Sequence, residues 1–399
     1  MFFQRTLSKK VLEASASFKV VLINGPRQVG KTTLFKSLIE ENRIFVSLDD
    51  VMACSLAQND PALFFQTYKP PILIDEIQKA PQLFQYIKMI IDQSDDRGQF
   101  WLTGSQQFHL MKGVSESLAG RIAILDLQGF SQSEKFESSD KVPFLPNFDL
   151  NCQKFFNLEQ IFDLIFKGSF PQLFDGITKD INLFYSSYVR TYIERDVREI
   201  TKISDENTFI KFLKLIAVRT AQEINYYNLA KEVGVSANTI KAWISILNTS
   251  NLIHLLPPYF YNLGKRIVKS PKLYFTDTGL CCYLSGISSS ENAKNSQISG
   301  ALFENYVVSE ILKSYWHNGI RPDIYFYRDV SQKEIDLIIE SNGKSHPIEI
   351  KQTGTPTLSM ASNFSLINST KRGIGAIICL SDKLIPLNAE TLVVPVGCI

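Results

Sequence analysis

Short apolar runs alternate with helix-like segments over the first third of the chain, from about residue 18 to residue 127. The runs Val20–Ile23, Ile44–Leu48, Ile72–Ile74 and Phe100–Leu102 are separated by polar breaks and by helical stretches. Nearly continuous apolar strands that alternate with helices are typical of a parallel sheet covered on both faces. The pattern therefore predicts an α/β domain at the start of the chain.

A glycine-containing loop follows the first predicted strand. Its residues fit the pattern G-x-x-x-x-G-K-[ST], with one more threonine in the helix behind it: Gly25, Pro26, Arg27, Gln28, Val29, Gly30, Lys31, Thr32 and Thr33. In such a loop the backbone N–H groups surround phosphates, the lysine reaches the β/γ oxygens and the hydroxyl binds Mg²⁺. The loop, a Walker A motif, predicts ATP and Mg²⁺ as cofactors, with Lys31 and Thr32 as ligands.

Two adjacent carboxylates, Asp75 and Glu76, end the third apolar strand. A parallel strand that ends beside the phosphate loop brings its first carboxylate to the metal and its second to the attacking water. We expect Asp75 to bind Mg²⁺ and Glu76 to be catalytic together with Lys31. An ordinary strand ending in a solvated acidic pair is the alternative, which the preceding phosphate loop makes improbable.

Two further catalytic candidates follow. The strand 99–103 runs into Gly104 and Ser105, so Ser105 or Thr103 is predicted to face the γ-phosphate, because ligands bind at the carboxyl ends of such strands. Arg121 precedes the last strand and is a candidate arginine finger in its own subunit or a neighbouring one, which makes a homo-oligomer a candidate assembly. An arginine on a solvated face is the alternative.

Composition narrows the class of protein without identifying a partner. The chain has 399 residues, enough for two or three domains, and 45% of them are hydrophobic. The formal net charge of +2 gives no global field for nucleic acid. The six cysteines lack C-x-x-C spacing, which disfavours a zinc module or a disulfide framework and favours a reducing, cytoplasmic location. The sequence contains no long apolar run, so we expect no membrane association.

In the middle of the chain, the sequence pattern predicts a polar linker, several helices and a helix-turn-helix. The segment 131–156 is rich in Ser, Lys, Asp and Pro and is expected to be a mobile linker. Periodicity predicts helices over 158–166 and 184–197. A short helix before Gly234 and a longer helix after it, capped by Ser236, predict a helix-turn-helix. Its second helix would enter the major groove of DNA with Asn238, Thr239 and Lys241 or dock a protein.

A second constellation of charged residues lies in the last third of the chain. Glu304 falls on an amphipathic helix, Asp336 on a strand, and Glu349 and Lys351 on one face of the next strand. Three carboxylates and a lysine in this order supply the groups for Mg²⁺-dependent phosphodiester hydrolysis, and the arrangement looks like the PD-(D/E)xK nuclease fold. An ion-pair network without catalysis is the alternative.

Taken together, the motifs resemble a prokaryotic AAA-type (AAA+) P-loop ATPase family whose members carry a C-terminal domain of unknown function. The segments that carry the resemblance are 25–32, 73–81, 102–105, 118–121, 193–197, 272–280 and 334–336. The resemblance implies a P-loop core at 1–130, a linker at 131–156, a helical region at 157–220, a winged helix at 221–270 and a restriction-endonuclease-like α/β domain at 271–399.

Two functions follow as hypotheses. In the first, the protein hydrolyses ATP and acts on DNA, with a nuclease-like C-terminal domain that cuts or holds the DNA. In the second, it is a nucleotide-controlled switch that binds a protein partner, and its nuclease-like domain is inactive.

Overall fold

A computed structural model describes residues 3–104, 117–136, 142–152, 154–193, 206–259 and 270–399. The N-terminal part is built on five parallel strands in the order β2-β3-β4-β1-β5. These are β1 (Val20–Asn24), β2 (Ile44–Ser47), β3 (Ile72–Asp75), β4 (Phe100–Thr103) and β5 (Ile122–Asp126). The predicted parallel sheet is confirmed.

Helices cover both faces of this sheet. They are α1 (Leu7–Ser17), α2 (Lys31–Leu38), α3 (Val51–Asn59), α4 (Pro61–Thr67) and α5 (Leu83–Gln93), with a 3-10 turn at Ile77–Lys79. Val20 and Leu22 of β1 pack into one apolar core, whereas Val21 and Ile23 pack into a second core that continues into the rest of the chain. Successive residues of a strand point to opposite faces, so a sheet covered on both sides requires this unbroken apolar run.

The middle of the chain is mainly helical and carries a small antiparallel sheet in the order β6-β8-β7. Its elements are α6 (Gln132–Lys135), α7 (Leu158–Lys167), a 3-10 turn at Pro171–Phe174, α8 (Ile181–Tyr188) with a π-helical turn at Val189–Ile193, α9 (Glu206–Ala217), β6 (Gln222–Glu223), α10 (Tyr226–Val233), α11 (Ala237–Thr249), β7 (Ile253–Leu256), β8 (Lys272–Phe275), α12 (Thr278–Leu284) and α13 (Ser290–Asn295). Gly234 has a φ of 92° between α10 and α11, and Ser236 caps α11 by accepting from the Thr239 N–H, as predicted.

The C-terminal part contains one long helix, α14 (Ser299–Trp316), and a mixed sheet in the order β13-β14-β12-β11-β10-β9. Its strands are β9 (Ile324–Arg328), β10 (Glu334–Ser341), β11 (Lys344–Ile350), β12 (Gly375–Cys379), β13 (Ile385–Asn388) and β14 (Thr391–Pro395), with 3-10 turns at Leu358–Leu366 and Val396–Cys398. β10 and β11 form an antiparallel hairpin, and β11 pairs in parallel with β12.

The first residues of the predicted linker 131–156 are buried against the C-terminal part. Gln132 and Glu134 are almost fully buried, and the Gln132 N–H donates to Oε2 of Glu310 on α14 over 2.7 Å. The polar composition of this segment reflects pairing with α14 instead of exposure to water, so the prediction of a mobile connection is wrong for residues 131–135.

Two other expectations need correction. The predicted helix at 184–197 is α8 followed by the π-helical turn up to Ile193, and its remainder lies outside the described residues. The cysteine spacing disfavoured disulfides, yet Cys152 and Cys398 are bonded, with their Cα atoms 4.6 Å apart. These residues are 246 positions apart and meet because the 154–156 segment runs along the C-terminal end, where a Cβ at Gly397 would lie 2.0 Å from the Lys154 carbonyl oxygen. Spacing along the chain cannot reveal such a pair.

None of the helices in the described ranges has both the length and the apolar character that crossing a bilayer requires.

Candidate functional site

The phosphate loop lies between β1 and α2, at the carboxyl edge of the parallel sheet. Gly30 has a φ of 91°, and a Cβ at Gly25 would lie 2.0 Å from the Leu127 carbonyl oxygen, so both positions require glycine. The Lys31 ammonium donates to the carbonyl oxygens of Gly25 and Pro26, over 2.9 and 2.7 Å. The loop therefore folds around Lys31, as a phosphate-binding loop does.

Burial lowers the pKa of Lys31 to about 8, although the nearby carboxylates of Glu76 and Asp75 act in the opposite direction. A bound phosphate group would add negative charge beside the ammonium and favour its protonated form.

Asp75 accepts hydrogen bonds from hydroxyl groups on three different elements. Its Oδ1 accepts a hydrogen bond of 2.7 Å from the Thr32 Oγ1 and another from the Thr103 hydroxyl, and its Oδ2 accepts from Ser47 over 3.5 Å. The strand register pairs Ile23 with Thr103 and Ser47 with Asp75, which places these strand ends at one edge of the sheet. The predicted meeting of Thr32 and Asp75 is thus observed.

These residues fit a magnesium ion. Mg²⁺ prefers oxygen ligands and, in P-loop sites, takes most of its coordination from a hydroxyl, phosphates and water. Thr32 and Asp75 are the residues that would hold it, and the ion would neutralise charge on the β and γ phosphates.

Glu76 follows Asp75 in a left-handed conformation, with a φ of 58° and a ψ of 42°. The Nε2 of Gln78 donates a hydrogen bond to its carboxylate. Such a backbone conformation is uncommon for a residue with a Cβ and tends to occur at functional sites.

The other residues predicted for the nucleotide site lie in different surroundings. Arg27 and Gln28 line a cleft of about 720 Å³, whose lining also includes Lys179, Asp180 and Tyr188. Val29 is buried, and Thr33 is exposed on α2. Arg121 lies on the surface, its Nε 2.8 Å from Asp92 Oδ1, which matches the solvated-face alternative in this chain. Ser105 lies outside the described residues, whereas the neighbouring candidate Thr103 contacts Asp75.

Sequence reasoning missed Arg5, which reaches the phosphate loop from a distant position. Its Nη1 donates to the Val29 carbonyl oxygen and its Nη2 to that of Gln128, both over 2.8 Å. The Arg5 Nε is 3.1 Å from Glu134 Oε1, and His317 Nδ1 is 3.3 Å from Glu134 Oε2. Burial opposes ionisation, but Arg5 and His317 hold the pKa of Glu134 far below its ordinary value.

A second cluster in the C-terminal part brings together the four residues predicted there. Lys351 Nζ lies 2.6 Å from Glu349 Oε1 and 3.7 Å from Asp336 Oδ2, and Asp336 Oδ2 accepts the Ile350 N–H over 2.8 Å. Glu304 from α14 accepts a hydrogen bond of 2.6 Å from the Tyr274 hydroxyl. The pKa of Glu304 and that of Glu349 are both raised, by burial and by repulsion from Asp336.

Lys272 and Glu334 also belong to this cluster, and the motif search did not include them. Lys272 Nζ lies 3.1 Å from Glu304 Oε1 and pairs with Glu334. Within the ranges that the structure covers, no three His, Cys, Asp or Glu side chains converge closely enough to hold a metal ion. As folded, these carboxylates bind lysines, and the cluster does not fit a divalent cation.

The parallel sheet, the loop after β1 and the Thr32–Asp75 pair define a P-loop nucleotide-binding core. Residues 17–136 match the family described as AAA domain, so this core is of the AAA type. Residues 158–291 and 299–399 match two families described as domains of unknown function, DUF8612 and DUF4143.

Two curated relatives extend over nearly the whole chain. They are uncharacterized proteins of Mycobacterium tuberculosis and Mycobacterium bovis, each 27% identical over 98% of this chain and 83% of the relative. Among solved structures, the RuvB Holliday junction branch migration motor of Thermotoga maritima is 20% identical over 63% of this chain and 89% of its own. The two structures superpose with a TM-score of 0.31.

Proposed function

We propose that this protein hydrolyses ATP and couples hydrolysis to an action on DNA. The observation that carries the ATPase part is the junction of Thr32, Thr103 and Asp75 at the end of the phosphate loop, with Glu76 held beside it. Lys31 and the loop N–H groups would hold the phosphates, Thr32 and Asp75 would hold Mg²⁺, and Glu76 would accept a proton from the attacking water.

The DNA part of the proposal is supported by α10 and α11. The two helices meet at Gly234, and the side chains of Asn238 and Lys241 are exposed near the start of α11. A polar, basic helix start is the part of a helix-turn-helix that contacts DNA. The antiparallel pair β7 and β8 follows, which is compatible with a winged helix. The basic segment 261–269 between these strands lies outside the described residues.

Glu304, Asp336, Glu349 and Lys351 lie in one cluster on a helix and a strand hairpin, which supports a nuclease-like arrangement that holds DNA, whereas metal-dependent cutting is not supported because the carboxylates are paired with lysines. A homo-oligomer with Arg121 acting on a neighbouring subunit remains part of the proposal.

One observation favours the second candidate, a nucleotide-controlled switch that binds a protein partner. Lys272 and Lys351 neutralise the carboxylates of the cluster, which an inactive nuclease-like domain would retain as a structural network. Under this candidate the exposed face of α11 binds a protein instead of DNA.

The decisive experiment measures the ATPase rate with Mg²⁺ and single-stranded, duplex or branched DNA, at two salt concentrations. We expect DNA to stimulate hydrolysis and the stimulation to decrease at high salt, because phosphate contacts release counterions. The Lys241→Ala variant should lose part of the stimulation and keep the basal rate. A rate that no form of DNA changes would favour the protein-binding switch.

A further inference from the structure

A buried glutamine lies beside the carboxylate of Glu76. Gln78 is 8% exposed, and its Nε2 donates a hydrogen bond to the Glu76 Oε2. The other polar atom of the same amide, Oε1, is buried and has no hydrogen-bond partner among the residues that the structure describes. The observed orientation of the amide therefore gives Glu76 a donor and leaves the buried oxygen of Gln78 unsatisfied.

The opposite orientation of this amide is excluded by the carboxylate. A half-turn of the amide exchanges its nitrogen and its oxygen, which would place Oε1 of Gln78 against an oxygen of Glu76. Both atoms are acceptors, so no hydrogen bond could form between them. A buried polar atom without a partner destabilises the folded chain and needs an explanation. The explanation here is that the hydrogen bond to Glu76 determines how the Gln78 amide is oriented.

The backbone of the same turn has a second unfavourable feature. Glu76 has a φ of 58° and a ψ of 42°, directly before the 3-10 turn Ile77–Lys79. The turn is fixed from outside, because Lys79 pairs with Asp49 and its carbonyl accepts a hydrogen bond of 2.7 Å from the Gln58 amide. A left-handed residue next to an unsatisfied buried oxygen lowers stability at this point. Such local costs are typical of positions where function determines the arrangement.

We propose that Gln78 is a positioning residue for Glu76, whose amide holds the Glu76 carboxylate in the orientation that accepts a proton from the attacking water. This inference rests on the proposed function, in which Glu76 is the general base. A glutamate side chain without a partner occupies several rotamers, and only some of them direct the carboxylate towards the water. Fixing one orientation before the reaction raises the rate of hydrolysis without a contact to the nucleotide.

The test measures kcat, KM and thermal stability for Gln78→Met in the full chain with ATP and Mg²⁺. Methionine fills a similar volume but has no N–H donor. We expect kcat to decrease roughly 10- to 100-fold, because a misplaced catalytic group has an effect of this size, and we expect KM to stay unchanged. The melting temperature should equal or exceed that of the wild type, because the substitution also removes the unsatisfied oxygen and Glu76 is only partly buried. A lower melting temperature together with an unchanged kcat would show a structural role and overturn the proposal.

The matched control is Gln82→Met. This substitution removes another glutamine of the same region, whose Nε2 donates to the Gln58 carbonyl over 2.8 Å at an exposed position. The control should keep the kcat of the wild type. If Gln78→Met does not fold, Gln78→Leu also lacks a donor and takes its place in every comparison.

A double variant tests whether Gln78 acts through Glu76. In the Glu76→Gln background the group to be positioned is absent, so Gln78→Met should cause no further decrease in kcat. A further decrease as large as the one in the wild-type background would overturn the proposal. If Glu76→Gln lowers kcat and Gln78→Met does not, only the positioning role fails and the proposed function stands. If Glu76→Gln keeps the wild-type kcat, the role of Glu76 in the proposed function fails, and the positioning role fails with it.

Discussion

At the scale of single residues, the chemistry of the nucleotide site depends on where two carboxylates lie. Asp75 is the last residue of β3 and is surrounded by hydroxyl donors, whereas Glu76 turns away in the left-handed conformation. Under the proposed function, the same strand end gives one carboxylate to the metal site and leaves the other for the water. The distinction arises from backbone conformation, since the two side chains differ by only one methylene.

Glu76→Gln tests the role of the second carboxylate. The amide keeps the size of the side chain but cannot accept the proton of water, so we expect kcat for ATP to decrease by about 10²–10⁴-fold while nucleotide binding is kept. Steady-state hydrolysis and equilibrium binding of a fluorescent nucleotide measure the two effects. Glu41→Gln, at an exposed position, is the control. Unchanged turnover in Glu76→Gln would remove this glutamate from its assigned role.

The protonation of Lys31 leads us to predict that nucleotide affinity depends on pH. Its pKa is lowered to about 8 by burial, so in the nucleotide-free protein the ammonium loses its proton as the pH rises through that value. A neutral amine does not attract phosphate, and we therefore expect nucleotide affinity to decrease from pH 7 to pH 9. Binding titrations across this range measure it, and Lys31→Ala should bind weakly at every pH.

The control for this prediction is Lys36→Ala, which removes a lysine of the same helix that stacks on the Phe45 ring, with its Nζ 4.0 Å from the ring centroid. It should keep both the affinity and the pH dependence of the wild type. An affinity that does not vary between pH 7 and pH 9 in the wild type would contradict the assignment to Lys31.

At the scale of elements, helix α14 connects the two charged sites of the molecule. Its first turns carry Glu304, and the residue after its end, His317, accepts the Gln128 N–H over 3.2 Å. Glu134 lies near both His317 and Arg5, and Arg5 holds the Val29 carbonyl of the phosphate loop. The contacts along this route are polar and buried, so their geometry is strongly specified.

Arg5 is therefore a positioning residue for the phosphate loop. Lysine keeps the positive charge at this position but cannot reproduce the fork of donors. We expect Arg5→Lys to weaken nucleotide binding roughly tenfold, because a hydrogen bond from a charged group contributes about 1.5–3 kcal/mol. The expected loss is in KM more than in kcat, because Arg5 contacts the loop and not the attacking water.

Steady-state kinetics separate these two constants. Lys10→Ala, on helix α1 that follows Arg5, removes an exposed pair with Glu13 and leaves the phosphate loop untouched, so it should keep the KM of the wild type. If Arg5→Lys keeps the KM of the wild type, Arg5 is structural and does not position the loop.

At the scale of the whole molecule, distant parts of the chain are joined by one covalent and several polar contacts. Lys313 of α14 donates to the Phe130 carbonyl over 3.1 Å and pairs with Glu310 over 2.7 Å, while Cys152 is bonded to Cys398. An apolar core runs without interruption from the parallel sheet to the C-terminal sheet. The AAA-type core is thus packed against the C-terminal part instead of being tethered to it.

Removal of the disulfide should destabilise the oxidised protein. It closes a loop of 246 residues, and cross-links of long loops contribute up to about 4–5 kcal/mol by restricting the unfolded chain. We expect Cys152→Ser to lower the free energy of unfolding in urea without reductant, and the difference from the wild type to disappear with reductant. Cys54→Ser is the control, because Cys54 carries a free thiol. Equal stability of Cys152→Ser and the wild type under oxidising conditions would argue against the bond in solution.

The sequence by itself determined the local elements of the parallel sheet and the candidate residues of the nucleotide site. Apolar runs gave the parallel strands, and the G-x-x-x-x-G-K-[ST] loop gave Lys31 and Thr32, because both features depend on neighbours within a few residues. The order of a helix followed by two strands was also enough to predict that Glu304, Asp336, Glu349 and Lys351 lie in one cluster.

Only the tertiary structure decided which distant side chains meet. Arg5 at the phosphate loop, Lys272 among the carboxylates and Cys152 beside Cys398 have no local pattern, since each partner lies far away in the chain. The polar segment after residue 130 was predicted to be exposed to solvent for the same reason. A sequence shows that a residue is polar, but it does not show whether water or another buried side chain forms the hydrogen bonds of that residue. Burial and long-range pairing are properties of the folded chain, and they determine whether a charged group is solvated, paired or catalytic.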